Sequence, residues 1–187
     1  MKPILALIAV LTLATPAVSQ PPTIINKTYH QIVQLSAVMP QGGNTFCTGV
    51  VVGITRVLTA EHCVTDETFV NGAPARVVKK NGWLVLLDVP LQQSIIDIAK
   101  VEPVDGDEAT TIGFVDSDGT RLTLKRHVAG FGTVTANKFM FLDGPLVQGM
   151  SGGPVINAKG ELIGINQMTN PFTGAVSTLK EIRAFLK

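Results

Sequence analysis

The stretch QGMSGGP, residues 148 to 154, sets a lone hydroxyl, Ser151, among Gly149, Gly152 and Gly153. A turn needs one or two glycines. Three around a single serine leave both the hydroxyl and the nearby backbone N–H groups open to approach. Acyl transfer has that requirement, since it uses a nucleophile together with donors aimed at the oxygen on which charge develops. Serine alone is a weak nucleophile and needs a base to take its proton. Three histidines are on offer, His30, His62 and His127. His30 falls in a lead-in segment. His127 sits in LKRHV, where alternation beside Lys125 and Arg126 gives an exposed strand position. His62 stands apart, in LTAEHCV, at the end of an apolar strand and directly before Cys63.

The start of the chain bears on that cysteine. Lys2 is followed by the apolar run ILALIAVLTLA and then TPAVSQ, with Ala17 and Ser19 as the small residues of a cleavage site. This pattern is a secretory signal cut after Ser19. A membrane anchor needs about 18 or more apolar residues, and Thr12, Thr15 and Pro16 interrupt the run too early. The expected mature protein is exported, secreted or periplasmic, and off the membrane. In an oxidising compartment an even cysteine count favours one disulfide, Cys47 with Cys63. Such a bridge pins His62, as a general base must be held within hydrogen-bond reach of its partner. No zinc site is expected from two cysteines and three histidines, and no metal or organic cofactor is implied. The formal charge of +1 falls to zero without Lys2, so no net field draws the chain to nucleic acid or acidic membranes.

The elements that must position these residues read mostly as strands. QIVQL alternates, and TFCTGVVVGITRVLTA is rich in Val, Thr and Ile with Gly53 at a turn. EHCV is a brief helical turn after it. ARVVKK and WLVLLDV are strands joined at NG, a hairpin signal, and SIIDIAKVEP is a short extended piece. QPPTIINKTY reads as an extended lead-in. Beyond Asp105-Gly106-Asp107, strands resume through TRLTLKRHVAGFGTV, KFMFLD, GPVIN and ELIGINQM, and DSDG at 116 to 119 is an Asx-rich turn. The one convincing helix is last, in TLKEIRAFLK. There Thr178 and Glu181 form a capping box, and Leu179, Ile182, Phe185 and Leu186 share an apolar face. Many short strands and a single helix point to an all-β barrel or sandwich.

LTAEHC resembles the histidine motif of trypsin-like (chymotrypsin-fold) serine proteases, and GMSGGP resembles their serine motif, in the same order along the chain. The likeness runs from about residue 30 to the terminal helix and is greatest to short bacterial and phage members. It implies an all-β fold of two six-stranded antiparallel barrels with the site in the cleft between them. The first barrel, within 20–104, carries His62; the second, within 105–187, carries Ser151 and the C-terminal helix. Ser151 is then the nucleophile, His62 the general base, and the N–H groups of Gly149 and Ser151 the oxyanion hole. Met150 stands where vertebrate digestive members have an aspartate that receives a new N-terminus. Activation by N-terminal insertion is therefore not expected.

The family also places an aspartate behind the histidine, at the head of a strand reading like DLALL. Here Gly82 or Trp83 stands at that place. Asp88 lies in the same strand but points to the other face, and Asp97, in DIAKV, imitates the motif locally. Asp97, Asp88 or no aspartate at all remain the alternatives. Pro145 at the expected pocket floor favours a small or apolar side chain, and GINQM, 164 to 168, is expected as an edge strand that pairs with substrate. These features imply hydrolysis of peptide bonds in polypeptide substrates through an acyl-enzyme on Ser151. The alternatives are a catalytically impaired binding protein on the same scaffold, or an esterase.

Overall fold

The computed structural model of the chain describes residues 23–134 and 136–187; the signal segment expected at 1–19 lies outside the described residues. Alternating and β-branched runs give strands β1 (Ile32–Val38), β2 (Asn44–Gly53), β3 (Arg56–Ala60), β4 (Thr68–Val70), β5 (Ala73–Pro74), β6 (Arg76–Asn81) and β7 (Leu84–Asp88). They form one antiparallel seven-stranded sheet in the order β5-β4-β1-β2-β3-β7-β6. After an irregular crossing come β8 (Glu108–Phe114), β9 (Arg121–Val134), β10 (Asn137–Leu142), β11 (Pro154–Ile156), β12 (Leu162–Thr169) and β13 (Gly174–Thr178). These close into a barrel in the order β10-β13-β12-β11-β8-β9. The two-barrel, all-β class expected from the sequence holds. In detail, the second unit is a closed six-stranded barrel and the first is a curled half-barrel sheet.

Three apolar clusters hold this arrangement. One, with Leu35, Val51, Val57 and Leu87, fills the curl of the first sheet. Another, with Val128, Met140, Leu142 and Val176, fills the closed barrel. The third joins them: Ile32, Val50, Leu58 and Leu84 from the first sheet meet Ile112, Ile156 and Ile165 from the barrel. Each such side chain contributes roughly 1.5–3 kcal/mol on burial, so the seam between the two units is itself a core.

The terminal helix, α2 (Leu179–Leu186), has the expected capping box, with Thr178 and Glu181 each accepting from the other's backbone N–H. Its Ile182 and Phe185 enter the joining cluster. Lys79 donates its Nζ to the Phe185 carbonyl at 2.6 Å, a cation at the end of a helix where the carbonyls leave negative charge.

Two expectations change. The lead-in is not extended: Ile24–Tyr29 form a helix, α1, capped by Thr23, whose side chain accepts from Asn26 N–H. Its Ile25 and Tyr29 pack on the joining cluster, so tertiary burial makes a helix of a segment too short to be stable alone. His30, in that lead-in, is the C-cap of the helix. The segment 164 to 168 also begins inside the sheet and not at an edge: β12 pairs with β13 on one side, while on the other its pairing with β11 reaches only to Ile165.

Candidate active site

The strand β3 delivers a single turn of 3-10 helix, Glu61–Cys63, the brief helical turn read from EHCV. Cys63 is bonded to Cys47 on β2, so the expected disulfide is present and fixes the turn that carries His62. A ring nitrogen of His62 lies within 4.8 Å of both sulfurs. Those sulfurs are committed to each other and are not metal ligands. The imidazole reaches solvent, yet the atoms crowding one side of it strip enough water to hold its pKa below the ordinary value, while the charge of Glu61 pulls the other way. A neutral ring, able to accept a proton, is the favoured form.

The second half of the site is the bend Val147–Gly153. Met150 N–H donates to Val147 O at 3.1 Å, and Gly153 N–H to Met150 O at 3.0 Å. Gly149, third in the first of these turns, has φ +88°, the left-handed value that a type II turn requires at that place. A Cβ there would meet Phe114 O at 2.6 Å. Gly152, with φ +78°, is pressed against the first sheet so closely that a Cβ would lie 2.1 Å from Thr59 Oγ1 and 2.3 Å from Thr48 O. The glycines crowd Ser151 because the bend is wedged onto the end of β3, which leads directly into His62.

The donors of this bend divide into two groups. The N–H groups of Met150, Gly152 and Gly153 are all paired, that of Gly152 with Asn166 O at 2.8 Å. Among the described residues, the N–H groups of the buried Gly149 and the half-buried Ser151 have no acceptor, nor do those of the exposed Val147 and Gln148. Two unpaired donors thus flank the half-buried Ser151 side chain. The Ser151 carbonyl accepts from Thr48 N–H at 2.9 Å and lies 3.6 Å from Cys63 Sγ. The structure therefore brings the serine bend and the histidine turn to the same disulfide. No hydrogen bond joins the Ser151 hydroxyl to His62.

The candidate aspartates are elsewhere. Asp97 has a side chain 73% exposed and pairs with Lys27 Nζ at 3.2 Å. Its carbonyl accepts from Leu162 N–H, four residues along β12 from Asn166, or roughly 13 Å from the serine bend. Asp88 is held ionised by the Thr55 hydroxyl first, then by Arg76 and Arg56. It pairs with Arg56 at the start of β3, whereas Ala60, next to the histidine turn, pairs with Leu84. Among the described residues no carboxylate lies within 4.0 Å of a His62 ring nitrogen. Trp83, at the place the sequence marked for an aspartate, offers its backbone carbonyl to Glu61 N–H at 2.9 Å and stacks its ring edgewise on Phe139.

Two residues of the site went unread in the sequence. Asn166 donates its Nδ2 to Met150 O at 3.1 Å, and Thr48 reaches the bend from β2. Both look like ordinary strand positions; the only signal for Thr48 was its place directly after Cys47. His127, by contrast, is exposed as expected and pairs with Asp143.

Residues 47–165 match the trypsin-like peptidase domain family. No curated protein matches the chain in sequence. Among solved structures, the Rv3671c protease of M. tuberculosis in its active form is 20% identical with a TM-score of 0.79, over 95% of this chain and 93% of that one. Its inactive form gives 20% and 0.73, over 87% and 90%. A serine endoprotease from Yersinia pestis is 22% identical with a TM-score of 0.75, over 89% of this chain and 66% of that one. At these identities the likeness is one of fold.

Proposed function

Because the chain belongs to the trypsin-like peptidase domain family, we propose that it is an exported serine endopeptidase with Ser151 as nucleophile and His62 as general base. The observation that carries this reading is the pair of N–H groups, on the buried Gly149 and the half-buried Ser151, that lack acceptors on either side of the paired Met150 N–H; the other unpaired N–H groups of the bend, on Val147 and Gln148, belong to exposed residues. A scissile carbonyl oxygen seated between them gains two donors as it becomes an oxyanion. The Ser151 hydroxyl attacks the carbonyl carbon, and His62, neutral at pH 7, takes the proton and returns it to the leaving amine. Water, activated by the same ring, then releases the acyl group. The hydrogen bond from Ser151 to His62 forms as substrate docks, as is common where a free site is loose. The disulfide and the leader MKPILALIAVLTLATPAVS support export, secreted or periplasmic. Polypeptide chains are the substrate class.

A specific observation favours a second reading. With no carboxylate within 4.0 Å of a His62 ring nitrogen among the described residues, the chain is a slow enzyme that cleaves activated esters, or a binding protein on the same scaffold. One experiment separates the readings. A fluorophosphonate probe labels Ser151, and a peptide or casein digest turns over and stops in Ser151→Ala. Labelling without proteolysis selects the esterase or impaired enzyme. Neither signal selects the binding scaffold and overturns the proposal.

A further inference from the structure

Thr48 is completely buried and belongs to β2, in the first sheet, yet its hydroxyl and its N–H are spent on the second barrel. Its Oγ1 donates to Gly149 O at 2.9 Å and accepts from Phe114 N–H at 2.9 Å. Its N–H donates to Ser151 O at 2.9 Å. Gly149 and Ser151 are the two residues whose unpaired N–H groups the catalytic reading assigns to the oxyanion. One side chain and its backbone therefore hold the carbonyls of both oxyanion donors, and the three bonds from Thr48 N to Oγ1 act as a template for their separation.

The template is tied to the base as well. Thr48 O accepts from Thr59 Oγ1 at 2.8 Å, one residue before Ala60 and the turn bearing His62. The residue before Thr48, Cys47, is bonded to Cys63. Little else can fill the space. A Cβ on Gly113 would come within 2.9 Å of Thr48 Oγ1, and one on Gly153 within 3.1 Å of its Cγ2. The hydroxyl and the methyl of this residue each have a fitted neighbour.

We propose that Thr48 is a positioning residue that sets the spacing and orientation of the oxyanion donors and registers them against His62. The inference rests on the catalytic reading above and adds to it a residue outside the serine and histidine motifs. Thr48→Val keeps the shape and the backbone donor but removes the hydrogen bonds to Gly149 O and from Phe114 N–H. Thr48→Ser keeps the hydroxyl and gives up only the methyl.

The test compares wild type, Thr48→Val, Thr48→Ser and Ser151→Ala on a peptide substrate, with the backbone amide resonances of Gly149 and Ser151 followed by NMR. The expected result is a kcat about 10-fold or more lower in Thr48→Val, short of the roughly 10²–10³-fold cost of deleting a donor. KM stays within about two-fold, because the loss falls on the transition state and not on substrate binding. Thr48→Ser restores most of the rate, and the two amide resonances move in the valine variant alone. A wild-type kcat in Thr48→Val, an equal loss in Thr48→Ser, or unmoved resonances each overturn the proposal. If wild type and Ser151→Ala prove equally inert, the catalytic reading falls separately. The resonances then judge the clamp alone: movement in the valine variant upholds it and stillness rejects it.

Discussion

The carbonyl oxygen of Ser151 lies 3.6 Å from Sγ of Cys63, so the bend carrying the hydroxyl touches the disulfide that anchors the imidazole turn. The bridge closes a separation of 16 residues, a loop whose constraint stabilises by about 3 kcal/mol. Replacing Cys47 and Cys63 together by alanine is expected to lower unfolding stability by about that amount. Proteolysis should fall further than stability accounts for, since the turn loses its anchor. Denaturant titration and kcat on the same samples check this; full activity in the folded fraction would refute it.

Gly152→Ala is expected to be far worse than an ordinary glycine replacement. The new methyl meets Thr59 Oγ1 and the Thr48 carbonyl, and φ is +78°. Strain and overpacking together cost about 3 kcal/mol, read from the denaturation midpoint, and the displaced bend abolishes turnover. Wild-type stability in this variant would mean that the bend is not wedged onto β3 as described.

Asp97→Asn is expected to leave kcat unchanged. The Lys27 pair is exposed, and such pairs contribute at most about 1 kcal/mol. An aspartate orienting His62 would instead cost about 10⁴-fold in turnover. A loss of that order would reinstate Asp97 behind the histidine.

The pH profile follows from the ring of His62. Crowding lowers its pKa, so kcat/KM should rise with pH on a limb centred below the ordinary imidazole value of about 6.5 and be full at neutral pH. Glu61 raises that pKa and is paired with Lys80. Glu61→Gln removes an anion and frees a cation, and both effects disfavour the imidazolium. The limb should therefore move further toward acid. A shift toward alkaline pH in this variant would exclude His62 as the group observed.

Much of this was legible because some local signals leave no tertiary choice. Thr178 and Glu181 announce α2 at any position in a fold, and the glycines around Ser151 announce a bend that something must approach. Asp97 misled because DIAKV copies a strand motif at a place where only Ile98 makes a bridge, to Leu162. The helix at Ile24–Tyr29 was hidden because its stability comes from the cluster under Ile25 and Tyr29, not from its own six residues. The openness of the first sheet could not be read either, since closure depends on how far strands stagger and not on their alternation.

Met150 is wholly buried, and its main chain rests so near Gly113 that a methyl there would be 2.8 Å from its Cα. The floor beneath the serine bend is thus greasy, with no ionic latch on this side chain. Dispersion and exclusion of water hold such a floor, and neither is screened by salt. The shape of the serine bend should persist in brines and dilute buffers alike, and a fusion partner ahead of the chain should not prevent it from forming.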